Sequence, residues 1–265
     1  MSPYGPYDRN PLAAELYDYT PLYSSRADVA FYVDCARQAN GKTLELGCGT
    51  GRILIPTAAA GFKVVGLDAS TSMLDRCRIK LQRQPTEVQK RAHLVHGDMT
   101  SFNLNENFAL VTIPFRGFQH LLRVEEQLAC LSAVHRHLAP GGRLAFDFFH
   151  PNPRYLPDPE YLEEREEFGE TPLTDGRSFR RTCRIAAYHR AEQVNEIEFI
   201  YYLTHADGGK ERIVERFPLR YFYRYELEHL LARARFNLVH LYGDFDRTPL
   251  RDDSPEMIFV AEKQS

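Results

Sequence analysis

The sequence lacks three features that would each point to a broad class of protein. No apolar run approaches the roughly 18 residues that a membrane-spanning helix needs, and the first residues contain no apolar segment typical of a secretory signal. Positive charge is not in excess, because 33 lysines and arginines face 36 aspartates and glutamates, for a net charge of −3. The five cysteines form no Cys-x-x-Cys pair, which excludes a disulfide framework and leaves no zinc-ligand spacing. We therefore expect a reduced, soluble, cytoplasmic protein with no metal site, no membrane association and no general affinity for polyanions.

Apolar segments alternate with helical periodicity in the first half of the chain. Five segments have the composition of short buried strands: residues 43–46, 63–67, 93–96, 108–113 and 143–149. Helical patterns lie between them, and the clearest covers residues 124–138, where apolar residues recur at steps of three or four. Strands that alternate with helices pair in parallel through right-handed crossovers. The pattern therefore predicts an α/β fold with a doubly wound parallel sheet that is covered by helices on both faces.

Two flanking regions depart from this alternation. Residues 1–21 contain four prolines and four tyrosines, which prevents a continuous helix and predicts an arm laid over another part of the molecule. After residue 150, prolines interrupt the chain again, and the acidic stretch at residues 163–170 is predicted to be a solvated linker or a short helix. Three β-like segments follow, at residues 179–188, 194–204 and 212–223. We expect them to form an antiparallel flap inserted into the parallel fold, with a hairpin turn at Asp207-Gly208-Gly209.

These patterns divide the chain into four predicted parts. Residues 1–40 form the arm and a helix, and residues 41–150 form the core with its ligand site. Residues 151–223 form the inserted β flap, which we interpret as a lid over a substrate. Residues 224–265 complete the core, because one helix and two strands resume the α/β pattern there.

The most informative stretch is a glycine-rich loop between the first predicted strand and the helix that follows it. It reads Glu45-Leu46-Gly47-Cys48-Gly49-Thr50-Gly51-Arg52. Glycines at alternate positions allow backbone angles that other residues avoid, and they let a ligand approach the chain closely. Asp68 ends the second strand 21 residues after Gly47, the spacing at which a carboxylate bonds the ribose hydroxyls of a nucleotide-type cofactor. Because open α/β sheets bind ligands beyond the carboxyl ends of their strands, the loop and Asp68 predict a cofactor site there.

The spacing of the glycines and the charge beside them distinguish between two cofactors. A dinucleotide site has Gly-x-Gly-x-x-Gly, with a pyrophosphate at the helix N-terminus, whereas this loop has Gly-x-Gly-x-Gly. The carboxylate of Glu45 would repel a pyrophosphate, but it suits a ligand with cationic sulfonium and amino groups. The loop therefore favours S-adenosylmethionine over NAD, and an NAD-type oxidoreductase stays as the less favoured alternative.

Four sequence blocks, in this order, resemble the class I S-adenosylmethionine-dependent methyltransferases. They are the glycine-rich loop, residues 66–70 with Met73-Leu74, Gly97-Asp98-Met99, and residues 138–142. The resemblance implies a Rossmann-like, seven-stranded sheet whose last strand is antiparallel, and a cofactor that leaves as S-adenosylhomocysteine. The cofactor-binding residues that the loop and the resemblance predict are Tyr17, Glu45, Gly47, Cys48, Gly49, Gly51, Asp68, Ala69, Met73, Asp98, Met99 and Pro114.

The flap and the tyrosine-rich arm are similar in layout to small-molecule methyltransferases, including those of glycine, sarcosine and sugar amines. The Asn/Asp-Pro-Pro-aromatic tetrad of DNA and glutamine methyltransferases is missing after strand four, where the chain has Thr112-Ile113-Pro114-Phe115. We therefore expect a small-molecule methyl acceptor and no nucleic acid. Nitrogen is slightly favoured over oxygen as the acceptor atom, because the sequence shows no carboxylate cluster that could hold a metal. Monomer and homodimer both remain open.

The candidate catalytic residue lies in the loop after strand four, which faces the methyl group in the family that the chain resembles. His120 is the predicted general base, since the ordinary pKa of histidine is near neutrality. Arg116 and Gln119 of the same loop are predicted to bind substrate, as are Tyr221 and Tyr223, which share one face of a flap strand. An alternative is a protein that binds S-adenosylmethionine without catalysing a reaction.

Overall fold

The computed structural model describes residue 7, residues 10–151 and residues 159–264. The predicted arm and the start of the predicted flap lie partly outside these residues. The helices are α1 (Pro11–Tyr17), α2 (Pro21–Ser24), α3 (Asp28–Ala39), α4 (Leu54–Ala59), α5 (Thr71–Gln82), α6 (Thr86–Gln89), α7 (Val124–His137) and α8 (Arg224–Arg233), with short 3₁₀ turns at Gly117–His120 and Pro159–Leu162. In the described part of the chain, no helix has both the length and the apolar character needed to cross a membrane.

Eleven strands form two separate sheets within the described residues. The strands are β1 (Thr43–Leu46), β2 (Val64–Asp68), β3 (Ala92–His96), β4 (Phe108–Ile113), β5 (Leu138–Phe149), β6 (Arg165–Pro172), β7 (Ser178–His189), β8 (Val194–Thr204), β9 (Lys210–Arg220), β10 (Phe236–Tyr242) and β11 (Glu256–Lys263). The larger sheet has the order β10-β11-β5-β4-β1-β2-β3, and the smaller has the order β6-β7-β8-β9. Strand β11 runs antiparallel to both β10 and β5, whereas β5, β4, β1, β2 and β3 pair in parallel. The predicted fold, with its antiparallel last strand and its inserted flap, is confirmed.

The larger sheet is buried on both faces because its residues alternate between two apolar layers. On β4, Val111 packs in the same cluster as Leu131 of α7 on one face of the sheet. Its neighbour Leu110 packs with Phe31 of α3 in a second cluster. Since successive side chains of a strand point to opposite faces, continuous apolar strands are typical of a parallel sheet between helices. Each fully buried leucine or phenylalanine of these clusters contributes about 1.5–3 kcal/mol to folding.

The acidic stretch at residues 163–170 corrects one expectation. Much of it belongs to β6, an edge strand that pairs antiparallel with β7, and not to a solvated linker or a helix. Its carboxylates meet arginines of the neighbouring strand: Glu167 accepts from Arg181 at 2.6 Å, and Glu166 lies 3.8 Å from Arg180. Opposite charges on adjacent strands stabilise the pairing of the strands. The local sequence of these glutamates predicts exposure to solvent, but in the sheet their charges are neutralised by arginines of the neighbouring strand.

The N-terminal arm lies between the two sheets. Both of its helices begin at a proline, which suits the first helical turn, and Asn10 caps α1 by accepting from the Leu12 amide at 3.0 Å. Ala13 and Leu16 of α1 pack against the smaller sheet. Tyr17, at the end of α1, packs against Met73 of the core helix α5. The arm therefore contacts both the core and the flap.

Candidate active site

A cavity of about 250 Å³ lies at the carboxyl ends of β1, β2 and β4. The sheet order changes direction at β1, which has β2 on one side and β4 on the other, and such a switch point is where open α/β sheets bind ligands. The glycine-rich loop, the ends of β2 and β3, the loop after β4 and the arm all contribute to its lining. The structure brings the following predicted site residues together around it: Tyr17, Glu45, Gly47, Cys48, Gly49, Asp68, Ala69, Met73, Asp98, Met99, Pro114 and His120.

The loop after β1 forms a cradle that requires glycine. Gly47 and Gly49 have φ angles of 71° and 53°, in the left-handed region that side chains disfavour. A Cβ atom on Gly49 would lie 3.1 Å from the Met73 methyl carbon, and one on Gly47 would lie 3.7 Å from that of Met99. The Gly47 amide donates to the Leu67 carbonyl at 2.8 Å, which fixes the loop to the end of β2. A ligand can therefore approach the backbone of this loop closely.

Asp68 joins the loop to the next helix. Its Oδ2 accepts a hydrogen bond from the Gly49 amide at 2.7 Å, and its Oδ1 accepts one from the Ser70 amide at 2.8 Å. Ser70 in turn caps α5 by accepting from the Met73 amide. These two bonds orient the carboxylate of Asp68, which lines the cavity. At the end of β3, Asp98 accepts from the amide and the hydroxyl of Thr100, both at 2.7 Å.

Two charged groups of opposite sign line the cavity. Glu45 is only 2% exposed, and burial raises the pKa of its carboxyl, although the Arg52 guanidinium opposes that shift. Arg52 binds the buried Asp28 with two hydrogen bonds of 2.6 Å. Its Nε atom is buried and has no hydrogen-bond partner among the described residues. A ligand with both an ammonium and a carboxylate group, such as the amino-acid end of S-adenosylmethionine, fits this pair.

Aromatic rings of the arm and of the loop after β4 surround one side of the cavity. Tyr7, Tyr17 and Phe115 line it, with centroids 5.1 Å apart for Tyr7 and Tyr17 and 6.3 Å apart for Tyr17 and Phe115. Tyr23 packs behind them, 4.6 Å from Tyr17 and 4.8 Å from Phe115. Burial raises the pKa values of Tyr7 and Tyr17, so both hydroxyls are neutral at physiological pH. The rings form a water-poor wall beside the charged pair.

The loop after β4 is held in a strained conformation. Phe115 and Arg116 have φ angles of 55° and 64°, and neither is glycine. Such angles cost about 1–3 kcal/mol each and persist only where the surroundings enforce them. Here the Phe115 amide donates to Oδ1 of the buried Asp147 at 2.7 Å. This bond directs the Phe115 ring into the cavity wall.

His120 lies at the cavity, and its ring centroid is 5.9 Å from that of Phe217 on β9. Burial lowers the pKa of its imidazole to about 4. The ring is therefore neutral near pH 7, where it can accept a hydrogen bond but is a weak base.

Five predicted site residues do not line this cavity: Gly51, Arg116, Gln119, Tyr221 and Tyr223. Gly51 packs under α5, because a Cβ there would lie 2.5 Å from the Cys77 sulfur. Arg116 forms an ion pair with Glu256 at 3.0 Å. Tyr221 and Tyr223 pack on each other, with centroids 5.9 Å apart.

Gln119, which is predicted to bind substrate, forms hydrogen bonds to two other parts of the chain. Its side chain is fully buried. The amide donates to the Arg220 carbonyl at 2.6 Å and accepts from the Phe149 amide at 3.3 Å, so it joins the flap to the core. Its donor and its acceptor are therefore both engaged with backbone groups.

Sequence reasoning missed several residues of the lining. Three of them are close in sequence to residues that are predicted to bind the cofactor. Arg52 ends the glycine-rich loop, Tyr7 belongs to the same arm as Tyr17, and Phe115 follows Pro114. This closeness in sequence is the signal that could have identified them. The other missed lining residues are Ile53, Leu67, Ser70, Gly97, Thr100, Gly117, Leu121, Leu122 and Glu126. Most of these carry no chemical signature of their own, and only the fold brings them to the cavity.

The chain is similar to known methyltransferases in sequence and in fold. Residues 43–142 match the methyltransferase domain family. The chain is 28% identical over 240 residues to a dTDP-3-amino-3,6-dideoxy-alpha-D-glucopyranose N,N-dimethyltransferase from Streptomyces fradiae, a match that covers 87% of this chain and 86% of that protein. It is 33% identical over 153 residues to the cypemycin N-terminal methyltransferase of a Streptomyces species, covering 57% of this chain and 59% of that one. The structure of the CcbJ methyltransferase from Streptomyces caelestis superposes with a TM-score of 0.76 at 24% identity, covering 100% of both chains.

The fold, the glycine cradle and the charged pair together define an S-adenosylmethionine-dependent methyltransferase of class I. Residues 43–142 match the methyltransferase domain family, the chain is a methyltransferase, and S-adenosylmethionine is its cofactor.

The contacts of Asp68 predict a loss of cofactor binding when its carboxylate is removed. Asp68→Ala should weaken S-adenosylmethionine binding at least tenfold, or about 1.4 kcal/mol, because charge-assisted hydrogen bonds are lost. Isothermal titration calorimetry with S-adenosylmethionine and S-adenosylhomocysteine measures the effect. Asp75→Ala is the matched control, since Asp75 is exposed on α5 and pairs with Arg78. Equal affinities of Asp68→Ala and the wild-type protein would contradict this role.

The raised pKa of Glu45 predicts a pH dependence of cofactor binding. A cationic ligand favours the ionised carboxylate, so affinity should rise as pH increases through the raised pKa and level off above it. Binding titrations from pH 5.5 to 9 would show this, with proton release detected in buffers of different ionisation enthalpy. Glu45→Gln keeps the shape and should remove this component of the pH dependence. An identical pH profile in Glu45→Gln would exclude Glu45 as its source.

Proposed function

We propose that the enzyme transfers a methyl group to the nitrogen of a small-molecule amine. The observation that carries the proposal is that Glu45, two aromatic rings (Tyr17 and Phe115) and the neutral His120 line a single cavity at the glycine-rich loop. S-adenosylmethionine supplies, when bound, a methyl group activated by a positively charged sulfonium. Two relatives whose names describe methylation of a peptide N-terminus and of an amino sugar support nitrogen as the acceptor atom.

The residues of the core would hold the cofactor in an orientation set by their chemistry. Gly47 and Gly49 offer their backbone to the methionine part, with Glu45 toward its amino group. Asp68 accepts from the ribose hydroxyls, and Asp98 with Met99 borders the adenine. Arg52, whose side chain lines the same cavity, would face the carboxylate of the cofactor. The arm residues Tyr7 and Tyr17 exclude water from the reacting end.

The aromatic wall suits the change in charge during the reaction. A neutral amine that gains a methyl group becomes a cation, and the face of an aromatic ring carries the negative part of its quadrupole. Tyr17 lines the cavity and would stabilise positive charge there without forming a bond to the acceptor. The Phe115 ring already has the guanidinium groups of Arg26 and Arg52 at 5.2 and 4.9 Å from its centroid. An alcohol acceptor would instead need a base strong enough to remove its proton, and His120 with a pKa of about 4 is too weak for that step.

His120 would orient the acceptor. Its neutral ring accepts a hydrogen bond from an N–H group and directs the nitrogen lone pair toward the methyl group. Alignment of this kind accelerates a displacement, because the reacting atoms must approach in line. With its low pKa, His120 would orient the acceptor before methyl transfer, and the product ammonium would release its proton to solvent water afterwards.

The remaining expectations concern the setting of the reaction. We place the enzyme in the cytoplasm, which the unpaired cysteines among the described residues support. The net charge of −3 supports an acceptor other than nucleic acid. We expect a monomer or a homodimer.

An acceptor screen tests the proposed function. Formation of S-adenosylhomocysteine is measured with amino sugars, amino acids and short peptides, each beside the analogue that carries a hydroxyl in place of the amine. At least one amine should give turnover that its hydroxyl analogue lacks. Methylation of hydroxyl compounds alone would refute nitrogen as the acceptor atom.

Substitution of His120 tests its role. His120→Ala should lower kcat/KM for the amine about 100-fold through lost alignment, while the Kd of S-adenosylmethionine changes less than threefold. The rate of the wild-type enzyme between pH 6 and 9 should follow the pKa of the amine and show no step near 6.5. His150→Ala is the control, because His150 lies outside the cavity lining and bonds the Ser254 carbonyl. An unchanged rate in His120→Ala, or a histidine-like step near pH 6.5 that this variant removes, would contradict the assignment.

A further inference from the structure

A buried arginine on the flap has contacts that the cofactor chemistry does not use. Arg181 of β7 is 1% exposed and lies on the face of the smaller sheet that packs against the arm. Its Nε donates to Glu167 at 2.6 Å, and its Nη1 donates to the Tyr23 hydroxyl at 2.8 Å. The guanidinium also lies 4.2 Å from the centroid of the Phe199 ring.

Burial of a guanidinium is costly. A well-packed apolar residue at such a position is often as stabilising as a buried ion pair, so stability alone does not account for an arginine. What an apolar residue could not supply is the directional bond to the Tyr23 hydroxyl. This bond fixes the position of one side chain of the arm relative to the flap.

Tyr23 in turn contacts two residues of the cavity wall. Its hydroxyl lies 3.2 Å from that of Tyr7, and its ring centroid lies 4.8 Å from that of Phe115. Tyr7 and Phe115 both line the cavity, whereas Arg181 and Tyr23 do not. Arg181 belongs to the smaller sheet and does not touch the cavity, but it contacts Tyr23, which in turn contacts the residues that line the cavity.

The opposite face of β7 provides a comparison. Arg184 lies three residues further along the strand and donates to Glu198 of β8 at 2.6 Å. Its side chain is 41% exposed, and it makes no hydrogen bond to the arm among the described residues. Of these two arginines of β7, Arg181 forms a hydrogen bond to the arm and Arg184 forms none to its described residues.

We propose that Arg181 is a positioning residue for the cofactor site, which holds Tyr23 and through it Tyr7 and Phe115 against the cavity. The flap then takes part in enclosing the cofactor, in addition to any contact with an acceptor. The inference does not depend on which acceptor the enzyme uses.

The test is a double-mutant cycle with cofactor affinity as the readout. Arg181→Met removes the donor and keeps an apolar stem, and Tyr23→Phe removes the accepting hydroxyl and keeps the ring. Each should weaken S-adenosylmethionine binding about tenfold, and the double variant should be little weaker than either one, because both remove the same contact. Arg184→Met should bind as the wild-type protein does. Calorimetry gives the affinities, and thermal unfolding shows that each variant is folded.

The outcomes separate positioning from a general effect on stability. A lowered Tm with unchanged affinity in Arg181→Met and Tyr23→Phe would overturn the proposal, as would losses of affinity that add in the double variant. If Arg181→Met does not fold, Tyr23→Phe and Arg181→Lys decide the matter, since both keep the packing of the buried site. Equal weakening by Arg184→Met would also contradict the proposal, because that residue lacks the contact to the arm.

Discussion

The active site depends on one buried carboxylate. Asp147, near the end of β5, is fully buried and accepts three hydrogen bonds: from the Phe115 amide at 2.7 Å, the Tyr32 hydroxyl at 2.6 Å and the Arg26 guanidinium at 3.1 Å. These donors belong to the loop after β4, to helix α3 and to the segment that precedes α3. A buried charge is stable only when such partners surround it. The same bonds therefore satisfy the buried side chain of Asp147 and hold the cavity wall at Phe115.

The charges around Asp147 form a balanced set. Arg26 also binds Asp28 at 3.1 Å and Glu256 at 2.9 Å, and Asp28 holds Arg52 at the cavity. Arg116 adds a third guanidinium through its ion pair with Glu256. Three guanidinium groups thus face three carboxylates in one network. Removal of Asp28 leaves Arg52 without its ion-pair partner in a poorly hydrated place, which costs about 3–5 kcal/mol in comparable pairs.

The parts of the site that could be predicted from sequence are those fixed by local backbone geometry. At Gly47 and Gly49 the backbone has left-handed angles, which favour glycine. Asp68 lies at the end of a strand, just before a helix. The type and spacing of these residues in the sequence therefore indicate where they lie in the fold. The seven-stranded sheet was predictable for a similar reason, because alternating strands and helices have few ways to pack. The parts that could not be predicted depend on contacts between distant segments. Gln119 meets the carbonyl of Arg220, and the acidic residues of β6 meet arginines of β7, and nothing in either local sequence indicates the partner.

The position of β11 has a consequence for how the chain is made. This strand fills the space between β5 and β10, and its first residue, Glu256, completes the charge network at the cavity. During synthesis β5 leaves the ribosome about 100 residues earlier than β11, since nascent domains emerge from the N-terminal end. Throughout that interval one edge of β5, with the apolar Phe146 and Phe148, has no strand beside it and is open to pairing with other chains. During the same interval, Arg26 and Arg116 lack the carboxylate of Glu256, with which both form ion pairs. The network of charges beside the cofactor site is therefore complete only after β11 has been inserted into the sheet.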